Sequence, residues 1–156
     1  MVKLEPMSEE EFGPWLATHA RDYAKDKVVS GAWRAEDAPR LADEAYHKLL
    51  PQGLSTPDNF VYTAIDEAAG ENVGNIWFAK MTYEGQTFAF VYDLLVLEEH
   101  RRKGYGEQIM RALEEKVREV GLDSIALHVF GHNHAAKALY EKIGYEITDL
   151  NMMKKL

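Results

Sequence analysis

The stretch from Tyr92 to Phe130 limits the possible folds more than any other part of the chain. It reads as the end of a strand, then a helix with Ile109, Met110, Leu113 and Val117 on one face, then a second strand from Ser124 to Phe130. Two strands joined through a crossover helix lie parallel in one sheet. Upstream, Phe60 to Ile65, Val73 to Tyr83 and Thr87 to Leu97 are period-two runs rich in β-branched and aromatic residues. Gly70 and Asn72 break the first pair of runs and Glu84-Gly85-Gln86 the second, and short loops of this kind join antiparallel neighbours. The chain must therefore build a mixed, mostly antiparallel sheet containing one parallel pair, which is an α/β fold of the α+β kind.

Helices flank this core. Phe12, Trp15, Leu16, His19 and Tyr23 form one apolar stripe, with Ser8 and Glu11 as a potential capping box. Pro14 argues for a start nearer Gly13, since proline is tolerated in the first turn. A second stripe (Ala38, Leu41, Ala42, Ala45, Tyr46, Leu49) stops at Pro51. Asn133 is a candidate N-cap for a short helix carrying Ala135, Ala138, Leu139 and Ile143 and ended by Gly144. Tyr145 to Leu150 and Met152 to Lys155 are then available as edge strands. The expected order is α-α-β-β-β-α-β-α-β, and the 156 residues fit a single domain.

Composition excludes several functions. There is no cysteine, which rules out disulfides, thiolate metal sites and cysteine nucleophiles. His132 and His134 lack companion ligands, so no metal is expected. A net charge of −8 argues against nucleic acid, whose phosphates call for a basic face, and suits a cationic partner such as an amine. No apolar run approaches the ~20 residues that span a bilayer, and the N-terminus is not a secretory signal. A cytoplasmic protein without a membrane partner is expected.

Against that acidic background stands Leu94-Leu95-Val96-Leu97-Glu98-Glu99-His100-Arg101-Arg102-Lys103-Gly104-Tyr105-Gly106-Glu107. An apolar strand gives way to three cations, then Gly-x-Gly, then an amphipathic helix. Free N–H groups at a helix start point at whatever lies ahead of them, and glycine lets the main chain approach an anion closely. Together they form a nest for a pyrophosphate. The third glycine of a dinucleotide-binding turn is missing, as is the Walker lysine pattern.

Arg101-x-x-Gly104-x-Gly106 resembles the Gln/Arg-x-x-Gly-x-Gly/Ala motif of the GCN5-related N-acetyltransferase (GNAT) family, at the same strand-to-helix junction. Asn133-x-x-Ala136-x-x-Leu139-Tyr140-Glu141-Lys142-x-Gly144-Tyr145 is similar to that family's later motif. With Leu49-Leu50-Pro51-x-Gly53, the whole chain looks like bacterial members without settled substrates. The resemblance implies a splayed parallel strand pair with acetyl-coenzyme A in the wedge. It implies main-chain contacts from Leu95, Val96 and Leu97 to the pantetheine arm and a nest built by Arg101, Arg102, Lys103, Gly104, Tyr105, Gly106 and Glu107. It also puts Asn133 against the coenzyme arm and makes Tyr140 the acid that protonates the departing thiolate. No base is marked as clearly. Asp93 is the candidate, acting directly or through water, although a strand-end aspartate also caps backbone groups. The expected activity is acetyl transfer to a primary amine of a small molecule or protein. The alternative is a non-catalytic acyl-coenzyme A sensor. A homodimer through terminal strands is open, and Trp33 and Tyr46 are candidates for the acceptor cleft.

Overall fold

A computed structural model describes residues 1–156. In chain order the elements are β1 (Val2–Pro6), α1 (Glu9–Val29), α2 (Ala38–Leu49), β2 (Asn59–Asp66), β3 (Glu71–Tyr83), β4 (Gln86–Val96), α3 (Tyr105–Glu119), β5 (Ile125–Leu127) and α4 (His134–Lys142). The five strands lie in the order β1-β2-β3-β4-β5. All neighbours are antiparallel except β4 and β5, which are parallel, as the crossover helix requires. No helix is long and apolar enough to cross a membrane.

The sheet buries both faces, because its strands carry apolar residues at odd and even positions. On one side Ile76, Phe78, Ala89 and Val91 pack against Ile109, Met110, Leu113 and Val117 of α3. On the other, Val61 and Trp77 pack against Trp15, Ala20 and Ala24 of α1 and Ala42 and Tyr46 of α2. Each fully buried large side chain stabilises the fold by about 1.5–3 kcal/mol.

Four features depart from the sequence reading. β1 was not expected. Its alternation is only five residues long, yet Val2 and Leu4 are buried while Lys3 and Glu5 face solvent. Helix α1 starts at Glu9 rather than near Gly13, because the capping box is complete: Ser8 Oγ accepts from Glu11 N at 3.3 Å and Glu11 Oε2 accepts from Ser8 N at 2.8 Å. Pro14 lies inside the helix, on an exposed stretch with Glu10 and Gly13 where water can satisfy the freed carbonyl. The strand expected over Ser124 to Phe130 pairs only at Ile125, Ala126 and Leu127. Finally, the edge strands expected at Tyr145 to Leu150 and Met152 to Lys155 do not form. A three-residue β5 offers too short a ladder to template them, and Ile147, Leu150, Met152 and Met153 remain exposed.

One irregularity positions the site. Trp77 opposes Asp93 and Phe78 opposes Val91, which makes Tyr92 the extra residue of a β-bulge. Before the bulge Ala89 and Val91 face α3; after it Leu94 and Val96 do. Tyr92 and Asp93 therefore point the same way, toward α1, where regular alternation would have sent Asp93 into the α3 core.

Candidate active site

The site begins where the parallel pair stops. β4 pairs with β5 only as far as Val91 and then runs on to Val96 without a neighbour on that side. Leu97 N donates to Val73 O at 2.9 Å, so by antiparallel alternation the Leu95 and Leu97 main-chain groups face β3. Those of Leu94 and Val96 face the open edge, where Arg101 Nε donates to the Val96 carbonyl at 3.0 Å.

Beyond β4 a single 3₁₀ turn (Glu98–His100) leads into α3. Arg102 and Gly104 both adopt left-handed backbone, with φ of 64° and 83°. No side chain caps α3; its first intrahelical bond runs from Gln108 N to Gly104 O at 3.3 Å. The amides of Tyr105, Gly106 and Glu107 thus lack intrahelical acceptors. The starts of α1 and α4, by contrast, are capped by Ser8 and by Asn133, whose Oδ1 accepts from Ala136 N at 3.2 Å. A Cβ at Gly106 would come within 3.0 Å of Leu139 Cδ2, so glycine there lets α4 lie close to the turn.

The surrounding side chains favour an anion. Arg101, Arg102 and Lys103 are exposed, and Lys103 Nζ donates to Glu99 O at 3.0 Å. Glu107 is the acidic residue of the turn, but its carboxylate accepts from Lys142 at 2.7 Å and Arg111 at 3.0 Å. Lys142, then Arg111, hold its carboxyl below the usual range, so its charge is locally balanced. Tyr105 Oη donates to Asp66 at 2.6 Å, anchoring the start of α3 to the end of β2. Free amides, a left-handed glycine and three cations fit a diphosphate.

Gly104→Val tests this turn. Nothing lies within 4 Å of a Cβ placed there, so the penalty is conformational rather than steric: a β-branched residue resists φ of 83°. The turn is expected to refold and its amides to swing away. Calorimetric affinity for coenzyme A should fall by about tenfold or more, the equivalent of the ~1–2 kcal/mol that left-handed backbone costs.

A cavity of about 560 Å³ opens beside the free edge of β4. It is walled by α1, α2, β4, α4 and the chain after β5, with His19, Tyr46, Asp93, His128, Phe130 and Tyr140 among its lining residues. Of the residues singled out from sequence, Asp93, Leu95, Asn133, Tyr46 and Tyr140 share this cavity. Arg101 through Glu107 belong instead to the adjoining turn, and Trp33 packs on Tyr23, its ring centroid 5.4 Å away.

The residue that sequence reasoning missed is His19. It is 4% exposed, and its Nδ1 pairs with Asp93 Oδ2 while its Nε2 has no partner. Its ring packs at 4.7 Å on Trp15, whose Nε1 donates to Asn75 Oδ1 at 3.0 Å. The available signal was a lone imidazole inside an otherwise apolar helical stripe. Burial first, and Asp93 second, push the Tyr140 phenol up to about 12. Burial and then Asp93 also raise Tyr46, with Tyr23 and Asp22 adding to it. Burial, helped by Lys27, lowers the His128 pKa.

An open parallel wedge, an uncapped glycine turn and a half-buried tyrosine sharing a cavity with an aspartate are compatible with an acyl-group transferase. The sequence model of the Acetyltransferase (GNAT) family matches residues 25–145, and the chain belongs to that family. It is 38% identical over 156 residues to Uncharacterized N-acetyltransferase YycN of Bacillus subtilis (strain 168), covering 99% of each chain. It is 33% identical over 153 residues to Uncharacterized N-acetyltransferase YdgE of the same organism, covering 98% of this chain and 97% of that one. The crystal structure of the YycN protein superposes with a TM-score of 0.94 over 100% of this chain and 99% of that one.

Proposed function

We propose that the chain transfers the acetyl group of acetyl-coenzyme A to a primary amine, by direct attack within a ternary complex. The observation that carries this reading is the meeting of Asp93 and Tyr140 in one cavity beside the unpaired edge of β4. Acetyl-coenzyme A supplies the activated acyl group; the chain's residues do the rest. The amides from Arg102 to Glu107 hold the pyrophosphate, with Arg101 and Lys103 adding charge. Leu95, Val96 and Leu97 track the pantetheine arm, and the outward-facing main-chain groups belong to Leu94 and Val96. The Val96 N–H, on the open edge of β4, would stabilise the negative charge that develops on the thioester oxygen. The amide group of Asn133, whose oxygen caps α4, borders the arm from the other side.

Asp93, oriented by His19, accepts the proton that the attacking nitrogen must lose, and Tyr140 donates to the departing sulfur. The two steps reinforce each other. The negative charge of Asp93 is one cause of the high Tyr140 pKa. Once Asp93 is protonated that contribution disappears, and the phenol becomes a better acid as the thiolate leaves.

A coenzyme A release assay against small amines, amino acids and peptides tests the reading. At least one amine should release coenzyme A well above the rate of acetyl-coenzyme A hydrolysis, with the acetylated product found by mass spectrometry. Coenzyme A that raises the melting temperature without any amine-dependent release would identify a sensor instead.

A further inference from the structure

The cavity carries charges that acetyl transfer alone does not require. Three carboxylates line it (Asp22, Asp26 and Asp93) against a single ammonium, Lys27, in walls that are otherwise largely aromatic and aliphatic. One carboxylate, Asp93, is enough to take a proton. The other two stand further along α1. Asp22 and Asp26 follow His19 by three and seven positions, which puts all three on one helix face. At 1.5 Å rise per residue, Asp22 lies about 4.5 Å and Asp26 about 10.5 Å along the axis from His19.

His19 gives an independent sign of what binds at the inner end. Its Nδ1 is committed to Asp93, its Nε2 has no partner, and it is 4% exposed on the cavity wall. With the proton on Nδ1, Nε2 is a bare acceptor, and a buried acceptor without a partner is completed by a ligand's donor. An acceptor beside a carboxylate calls for an N–H group.

The outer end suits a second cation. Lys27 Nζ lies 5.5 Å from the Tyr23 ring centroid and 5.4 Å from that of Trp33, so the chain already rests an alkylammonium on these rings. Asp26 is bonded through one oxygen to His132 Nε2 at 2.9 Å, which steadies the carboxylate at the mouth. Asp22 is exposed and lines the same cavity.

We infer that the acceptor is an aliphatic dication, a diamine or longer polyamine. Its reacting nitrogen sits at Asp93 and His19, and its second ammonium sits on Asp22 and Asp26, about 5–10 Å further along α1. This rests on the acetyl-transfer reading. The reacting ammonium loses one proton to solvent. As the nitrogen bonds to the acetyl carbon and the carbon–sulfur bond breaks, Asp93 takes a second proton and Tyr140 gives its own to sulfur. Tyr140 is then reprotonated from Asp93, leaving amide and free thiol.

The test compares α,ω-diamines, from trimethylene- to octamethylenediamine, with monoamines of the same chain length. Two readouts are taken on the full chain: kcat/KM from coenzyme A release with acetyl-coenzyme A, and calorimetric affinity with coenzyme A present. Diamines should win by about tenfold, the size of one charge-assisted hydrogen bond, with a preferred intermediate length. The paired substitutions Asp22→Asn and Asp26→Asn should shrink that preference to within about twofold, while coenzyme A still raises the melting temperature. Equal binding and turnover of mono- and diamines, a preference that survives both substitutions, or faster turnover of amino acids or peptides would each overturn the inference. Preferential diamine binding without any coenzyme A release would uphold the dication site and reject acetyl transfer.

Discussion

Gly74→Ala is expected to lower the melting temperature by about 6–12 °C, from a loss of about 3 kcal/mol at the upper end of overpacking costs. Gly74 lies in β3 opposite Val96. A Cβ there would fall 2.1 Å from the Leu95 carbonyl oxygen and 3.2 Å from Ile109 Cδ1. The isoleucine methyl can shift; the carbonyl cannot, because it belongs to the strand that forms the wedge. Relief requires β3 and β4 to separate along the stretch whose outer edge carries the Leu94 and Val96 main-chain groups. Coenzyme A affinity should therefore fall together with stability. Thermal unfolding monitored by circular dichroism, with and without coenzyme A, measures both. An alanine variant of unchanged melting temperature would mean that the strands are not held this close.

Tyr140→Phe should leave stability and coenzyme A affinity near those of the parent and lower kcat by about 10²–10⁴-fold, the usual size of a positioned general acid. Only the hydroxyl is lost, and the ring keeps its packing on Tyr145, 5.8 Å between centroids. With burial and Asp93 pushing its pKa up to about 12, Tyr140 keeps its proton across the neutral range. The acidic limb of the pH–rate profile should therefore not come from Tyr140, and the parent should show no alkaline loss of rate from tyrosine ionisation below about pH 10. Steady-state kinetics beside calorimetric titration of coenzyme A separates the two effects. Undiminished turnover would remove Tyr140 from the reaction and leave it as core packing.

The sequence carried the frame of the molecule in patterns that are long and local. Period-two runs across β2, β3 and β4, the stripe of α3 and the N-cap at Asn133 each declare themselves within about ten neighbouring residues. The glycine turn is equally local, since Gly104 supplies the left-handed backbone within its own segment. Arg102 shares that backbone without being glycine, and nothing in its identity signals it. What stayed hidden depends on distant parts of the chain. β1 exists because Val2 and Leu4 find a place beside β2, and five residues of alternation are too few to reveal it alone. His19 meets Asp93 only because a bulge at Tyr92 reverses the alternation of β4, and that register is set by pairing with β3. The C-terminal residues show the opposite case: period-two patterning around Ile147 and Met152 makes no strand where the neighbouring edge is too short to pair with.

A crystal structure of the protein grown with coenzyme A tests the central claim most directly. The pyrophosphate oxygens should lie within about 2.7–3.2 Å of main-chain nitrogens between Arg102 and Glu107, with the thiol end beside Val96 and Tyr140. A diphosphate bound elsewhere, or glycine amides at this turn directed away from it, would contradict the account.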